Sequence, residues 1–224
     1  MDKNHFIKVV LVTVIFVIGL TFSLGYAADS PPAAVRIAAE FGLSNFLSTV
    51  PTSELVGMGF KNEPEIKNAR LGSPYEQFTI TPDALSGYRP GTSLESMVIT
   101  TEHWLFPVTV NGEPRTTLIV AKMNDHWEAV SLGDARLSNV LSKSEALLKG
   151  TESVKIEKYV RIFQANADFM YVQTATGEYL LPLLEQDQLD VVELNMVAGK
   201  LAKPEDVIPQ LNEIVKKSIK NWKG

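Results

Sequence analysis

The stretch from Trp104 to Gly133, WLFPVTVNGEPRTTLIVAKMNDHWEAVSLG, constrains the fold of this chain more than any other. It alternates with period two, is rich in β-branched and aromatic residues, and is broken only at residues that favour turns. The expected strands are Trp104 to Val110, Thr116 to Lys122 and His126 to Leu132, a β-meander over 104–132. Asn111-Gly112 supplies the positive φ angles of a tight hairpin, and Asn124-Asp125 tolerates a left-handed turn. Pro114 cannot donate to a ladder, which places it inside a four-residue loop, Asn111 to Pro114, and pairs Val110 with Arg115. In that register one face collects Trp104, Phe106, Val108, Ile119, Ala121, Trp127 and Ala129, and the other Leu105, Leu118, Val120, Val130 and Leu132. Both faces are apolar, so the sheet is expected to be covered on both sides.

The chain opens with Lys3 and Lys8, then an apolar run from Val9 to Leu24, then Gly25-Tyr26-Ala27. This is the pattern of a signal peptide over 1–27 with cleavage after Ala27, and no cysteine follows to receive a lipid. The run is long for a signal core and short for a span of about 20 residues, so an uncleaved anchor is the competing reading. Either way, residues 28–224 are expected to be exported, to the periplasm or the extracellular space. They form a single α+β domain by length, with 28–150 and 151–224 as alternative sub-units. The chain has no cysteine and its core must hold without disulfides. The formal net charge of −5 argues against nucleic acid and against anionic membrane surfaces as partners.

Around the meander, helices are expected near 33–48, 134–148 and 204–222. The first starts at Pro31-Pro32 and is interrupted at Gly42; the second is capped by Asp134; the third has Glu205 and Asp206 at its start and Lys216, Lys217 and Lys220 at its end. Tyr75 to Ile80 and Leu94 to Thr100 read as strands, and Pro82 to Leu85 as a helical turn capped by Thr81. Tyr88-Arg89-Pro90-Gly91 suits a type II turn. Val154 to Phe163 is a further strand, followed by a hairpin of Phe169 to Thr174 and Glu178 to Leu184. Residues 51–72 are the least readable. The fold class is therefore α+β with a predominantly antiparallel sheet. VTVNGEPRTTLIV and VQTATGEYLLPLL echo each other around Gly-Glu, which raises two pseudo-repeats against convergent hairpins.

No phosphate loop, nucleophile elbow, HExxH or calcium-loop motif occurs, so no catalytic residue, cofactor or metal is expected. His103 and His126 fall beside Lys122 on one face, near Glu102, Asp125 and Glu128, and read as strand-end histidines rather than zinc ligands. The pairs Glu63 with Glu65 and Asp187 with Asp190 read as solvated carboxylates. Trp104, Phe106 and Trp127 form the one sharp candidate, a partner- or ligand-binding aromatic face. Its plain alternative is core covered by the C-terminal helix, with Ile219 and Trp222 buried against Phe106 or Trp127. These observations favour an exported non-catalytic protein that binds another protein or itself. A small-ligand sensor or carrier domain comes next, and a hydrolase with an unrecognised site last.

Overall fold

The computed structural model describes residues 30–151 and 154–222. The expected signal segment lies outside the described residues. In chain order the elements are α1 (Ala33–Thr49), α2 (Thr52–Gly57), α3 (Glu63–Lys67), β1 (Ala69–Leu71), β2 (Tyr75–Ile80), α4 (Pro82–Gly87), β3 (Val98–Val110), β4 (Glu113–Met123), β5 (His126–Gly133), α5 (Ala135–Lys149), β6 (Ile156–Ile162), β7 (Ala167–Thr174), β8 (Gly177–Pro182), α6 (Gln186–Val191) and α7 (Pro204–Trp222). Among the described residues the eight strands form one sheet in the order β5-β4-β3-β2-β6-β7-β8, with β1 beside β3. Every pairing is antiparallel except β2 with β6. The fold is α+β, as the sequence pattern requires.

The meander is present, but its first hairpin is tighter than its sequence suggests. Val110 pairs with Glu113 across a two-residue turn, with Asn111 and Gly112 both at positive φ, and Pro114 stands in β4 opposite Thr109. A register shift follows at once, because Thr116 pairs with Val108 and Arg115 is the extra residue. The one-residue slip exchanges the faces of β4. Leu118 and Val120, not Ile119 and Ala121, lie with Trp104, Phe106, Trp127 and Ala129. In β5 a second shift leaves Val130 as the extra residue, which brings Leu132 onto the same face. The expected strand from Leu94 begins as a 3-10 turn, and β3 runs unbroken from Val98 into the meander.

One face of the sheet carries two apolar clusters side by side. The first joins Trp104, Phe106, Val108, Leu118 and Val120 to Val35, Ala39 and Leu43 of α1. The second joins Val160, Ile162, Phe169 and Tyr171 to Val207, Ile208, Leu211 and Val215 of α7. On the opposite face, Leu105, Tyr159, Met170, Val172 and Leu181 meet Leu137, Val140, Leu141 and Leu148 of α5. Both faces are covered, as an antiparallel sheet with two apolar faces demands. The helix on the aromatic face is α1, which corrects the expected position of the C-terminal helix. α7 packs over its own preceding hairpin instead, and Trp222 at its end is 90 % exposed. Gly42 does not interrupt α1; it lets the helix descend onto Ala129 of β5.

The two Gly-Glu hairpins are tied differently. Glu113 bonds Arg115 and Lys61, whereas Glu178 accepts from the Ser93 hydroxyl, the Leu94 amide and the Tyr171 hydroxyl. The helices that follow the two meanders, α5 and α7, cover opposite faces.

Candidate functional site

The aromatic residues singled out from the sequence do not form one surface. Trp104 and Phe106 are buried beneath α1, at 5 % and 0 % exposure, while Trp127 is half-buried. Trp104 and Trp127 meet Ser30, Pro32, Glu76, Thr100 and Glu102 around a depression of about 360 Å³ at the start of α1. Glu102 holds positive φ there, within a bulge of β3 opposite Gln77 and Phe78. Its carboxylate is 3.0 Å from the Lys122 ammonium, and Glu76 accepts from the Thr100 hydroxyl at 2.8 Å.

The histidines lie elsewhere than expected. His103 pairs with Ala121 and His126 with Met123, on the face opposite the one where Lys122 pairs with Trp127. The corrected register is the cause. The Nδ1 of His103 is 2.7 Å from the Thr101 carbonyl, and His126 bonds Glu128 and the Asn124 carbonyl. Among the described residues no three His, Asp or Glu converge as metal ligands would.

Two charged clusters sit at sheet margins. Arg115, the bulge residue of β4, donates to both Glu65 oxygens at 2.9 and 2.8 Å and to Glu113 at 2.7 Å. The Arg115 guanidinium, helped by the Lys61 amide, holds the Glu65 carboxyl down to about 2. Glu65 is thus a tie between α3 and the sheet, not one of a pair of acids. In the second cluster, Asp168 accepts from the Tyr159 hydroxyl at 2.6 Å and from Arg161 at 2.9 and 3.0 Å. Burial pushes the Asp168 carboxyl up, against the pull of Arg161 and Tyr159. Both its oxygens are engaged by Tyr159 and Arg161.

A further feature with room for a partner is invisible in the sequence. Between α1 and the α3–β1 segment runs a groove of about 590 Å³. Its apolar lining is Leu43, Leu47, Ile66 and Leu71, and its charged lining is Arg36, Lys67, Arg70 and Glu40. All three residues of β1 line it, although neighbours in a strand point to opposite faces. The groove therefore follows the edge of the strand. Among the described residues β1 pairs only with β3, and the Ala69 carbonyl accepts from the Arg70 guanidinium at 2.7 Å.

The other edges are less open. β8 is bridged by Ala202, whose N–H and C=O exchange bonds with Leu180 at 2.9 and 2.8 Å. β5 carries His126, Glu128 and the Val130 bulge, features that discourage pairing with another chain. Among the described residues no helix is long and apolar enough to cross a membrane. Comparison of the chain with family models, with curated proteins and with solved structures gives no match.

Proposed function

We propose that this chain is an exported, non-catalytic protein-binding module that receives its partner in the groove between α1 and β1. The supporting observation is the coincidence of an apolar floor, Leu43, Leu47, Ile66 and Leu71, with a sheet edge that has no second strand among the described residues. Strand addition to such an edge satisfies the peptide's backbone while pockets for alternate side chains supply selectivity. The engaged state of Asp168 and Glu65 supports a binding role over a catalytic one. Peptide display against the purified protein tests this reading. Selected peptides should lose binding to a Ser44→Trp variant, in which an exposed groove residue blocks the channel without entering the core. Binders indifferent to that change would refute the placement.

Export rests on the charged start, the apolar run and Gly25 to Ala27. Mature protein should begin at Ala28 on N-terminal sequencing, and intact Met1 in the membrane fraction would support an anchor instead. A second reading, a small-ligand domain, draws on the depression at Trp104 and Trp127, whose volume falls within the usual range of about 300–1,000 Å³ for ligand pockets. Quenching of tryptophan fluorescence by a ligand, lost in Trp127→Phe, would favour it.

A further inference from the structure

We infer that the occupant of the α1–β1 groove is an extended segment of another protein in which acidic residues alternate with apolar ones. This rests on the reading of the groove as a docking site and adds the chemistry of what docks. Arg36, Lys67 and Arg70 line the groove and are exposed. Among the described residues none of the three has a carboxylate within ion-pair distance. Arg70 donates through Nη1 to two backbone carbonyls, those of Lys67 and Ala69.

The clustering is informative because carboxylates are in surplus, 26 against 21 lysines and arginines. Lys61, Lys122, Lys158 and Lys217 take carboxylate partners and others, such as Arg89 and Arg136, have none among the described residues, but here three such cations border a single groove. The groove's own acid, Glu40, follows Arg36 by four residues, the less favourable order for a helical pair, and the two form no ion pair. A positive rim thus sits on a protein of net charge −5. Such a rim steers an acidic partner towards the groove and fixes its register.

The shape selects a peptide rather than another anion. A segment lying along β1 would send alternate side chains down to Leu43, Leu47, Ile66 and Leu71, and place the residues between them near the cations. Its backbone would pair with the β1 edge as the Arg70 guanidinium turns from the Ala69 carbonyl to a carboxylate of the segment, an exchange that an acyl chain does not offer.

The test uses the purified protein and short fluorescein-labelled peptides that alternate valine with glutamate, with serine or with lysine. Fluorescence anisotropy should show the glutamate peptide binding most tightly, with affinity falling as ionic strength rises. An Arg36→Glu, Lys67→Glu, Arg70→Glu variant changes only exposed side chains, and an unchanged melting temperature verifies its fold. It should bind the glutamate peptide about tenfold more weakly, the combined effect of three modest surface pairs, and should prefer the lysine peptide. Equal binding of all three peptides to the wild type, abolished by Ser44→Trp, would overturn the charge inference and leave the docking groove standing. Binding of none of them, or binding untouched by Ser44→Trp, would overturn both. Sedimentation showing self-association that the triple variant dissolves would replace the foreign segment with a second copy and so overturn the inference.

Discussion

Gly42 in the middle of α1 rests on Ala129 of β5 with no room for a side chain: a methyl group built on the glycine overlaps the Cβ of Ala129. Glycine inside a helix costs about 1 kcal/mol relative to alanine, so its presence here answers the close approach. Gly42→Ala should nevertheless destabilise the protein, because the overlap outweighs the gain in propensity, and Gly42→Leu should cost at least about 1–3 kcal/mol. Urea melts decide the point. A stabilised Gly42→Ala would mean that α1 lifts from β5 without loss.

Phe106 and Trp222 should behave in opposite ways. Phe106 is fully buried under α1, and Phe106→Ala should cost about 3–5 kcal/mol. Trp222 is almost wholly exposed, and Trp222→Ala should stay within about 0.5 kcal/mol. Thermal or denaturant melts of the two variants test the assignment of α1, rather than α7, to the aromatic face.

Acid should release the tie between α3 and the sheet. The Glu65 carboxyl is lowered from 4.5 to about 2 by its bonds from Arg115 and the Lys61 amide. A depressed carboxylate contributes stability that is present above its unfolded value and lost as pH falls through the folded one. Stability should therefore decline between about pH 4.5 and about pH 2, and Glu65→Gln should remove part of that slope. Identical pH profiles for wild type and Glu65→Gln would contradict it.

The start of α5 depends on one residue. Asp134 accepts the Leu137 amide at 2.8 Å while holding φ at 61°. Asn can both cap a helix and occupy the left-handed region, whereas Ala does neither well. Asp134→Asn should be nearly neutral, and Asp134→Ala should cost about 1–2 kcal/mol in a denaturant melt.

Local signals in the sequence were reliable where local chemistry decides. The Asp134 cap, the Thr81 cap on Ala84 and the Pro90-Gly91 turn closed by Thr92 all occur where their residues predict. α7 occupies Pro204–Trp222, the span marked by its charges. The first hairpin differs from its sequence pattern because Pro114 stands inside β4 opposite Thr109, next to the bulge residue Arg115, which is tied to Glu65, 50 residues earlier. The choice between α1 and α7 for the aromatic face is likewise a packing decision between two amphipathic helices, which periodicity leaves open. The groove was illegible for both reasons. β1 is three residues long, and the isolation of Arg36, Lys67 and Arg70 from carboxylates exists only once α1 and α3 are brought together.

Whether the α1–β1 groove receives a partner protein is decided by a photo-crosslinking residue placed at Ser44 in the protein expressed and exported by its own cells. A discrete adduct should form at Ser44, disappear when Arg36, Lys67 and Arg70 are changed to glutamate, and be absent when the crosslinker is moved to exposed Ser142 on α5. No adduct at Ser44, or the same adducts from Ser142, would mean that the groove is not a docking site.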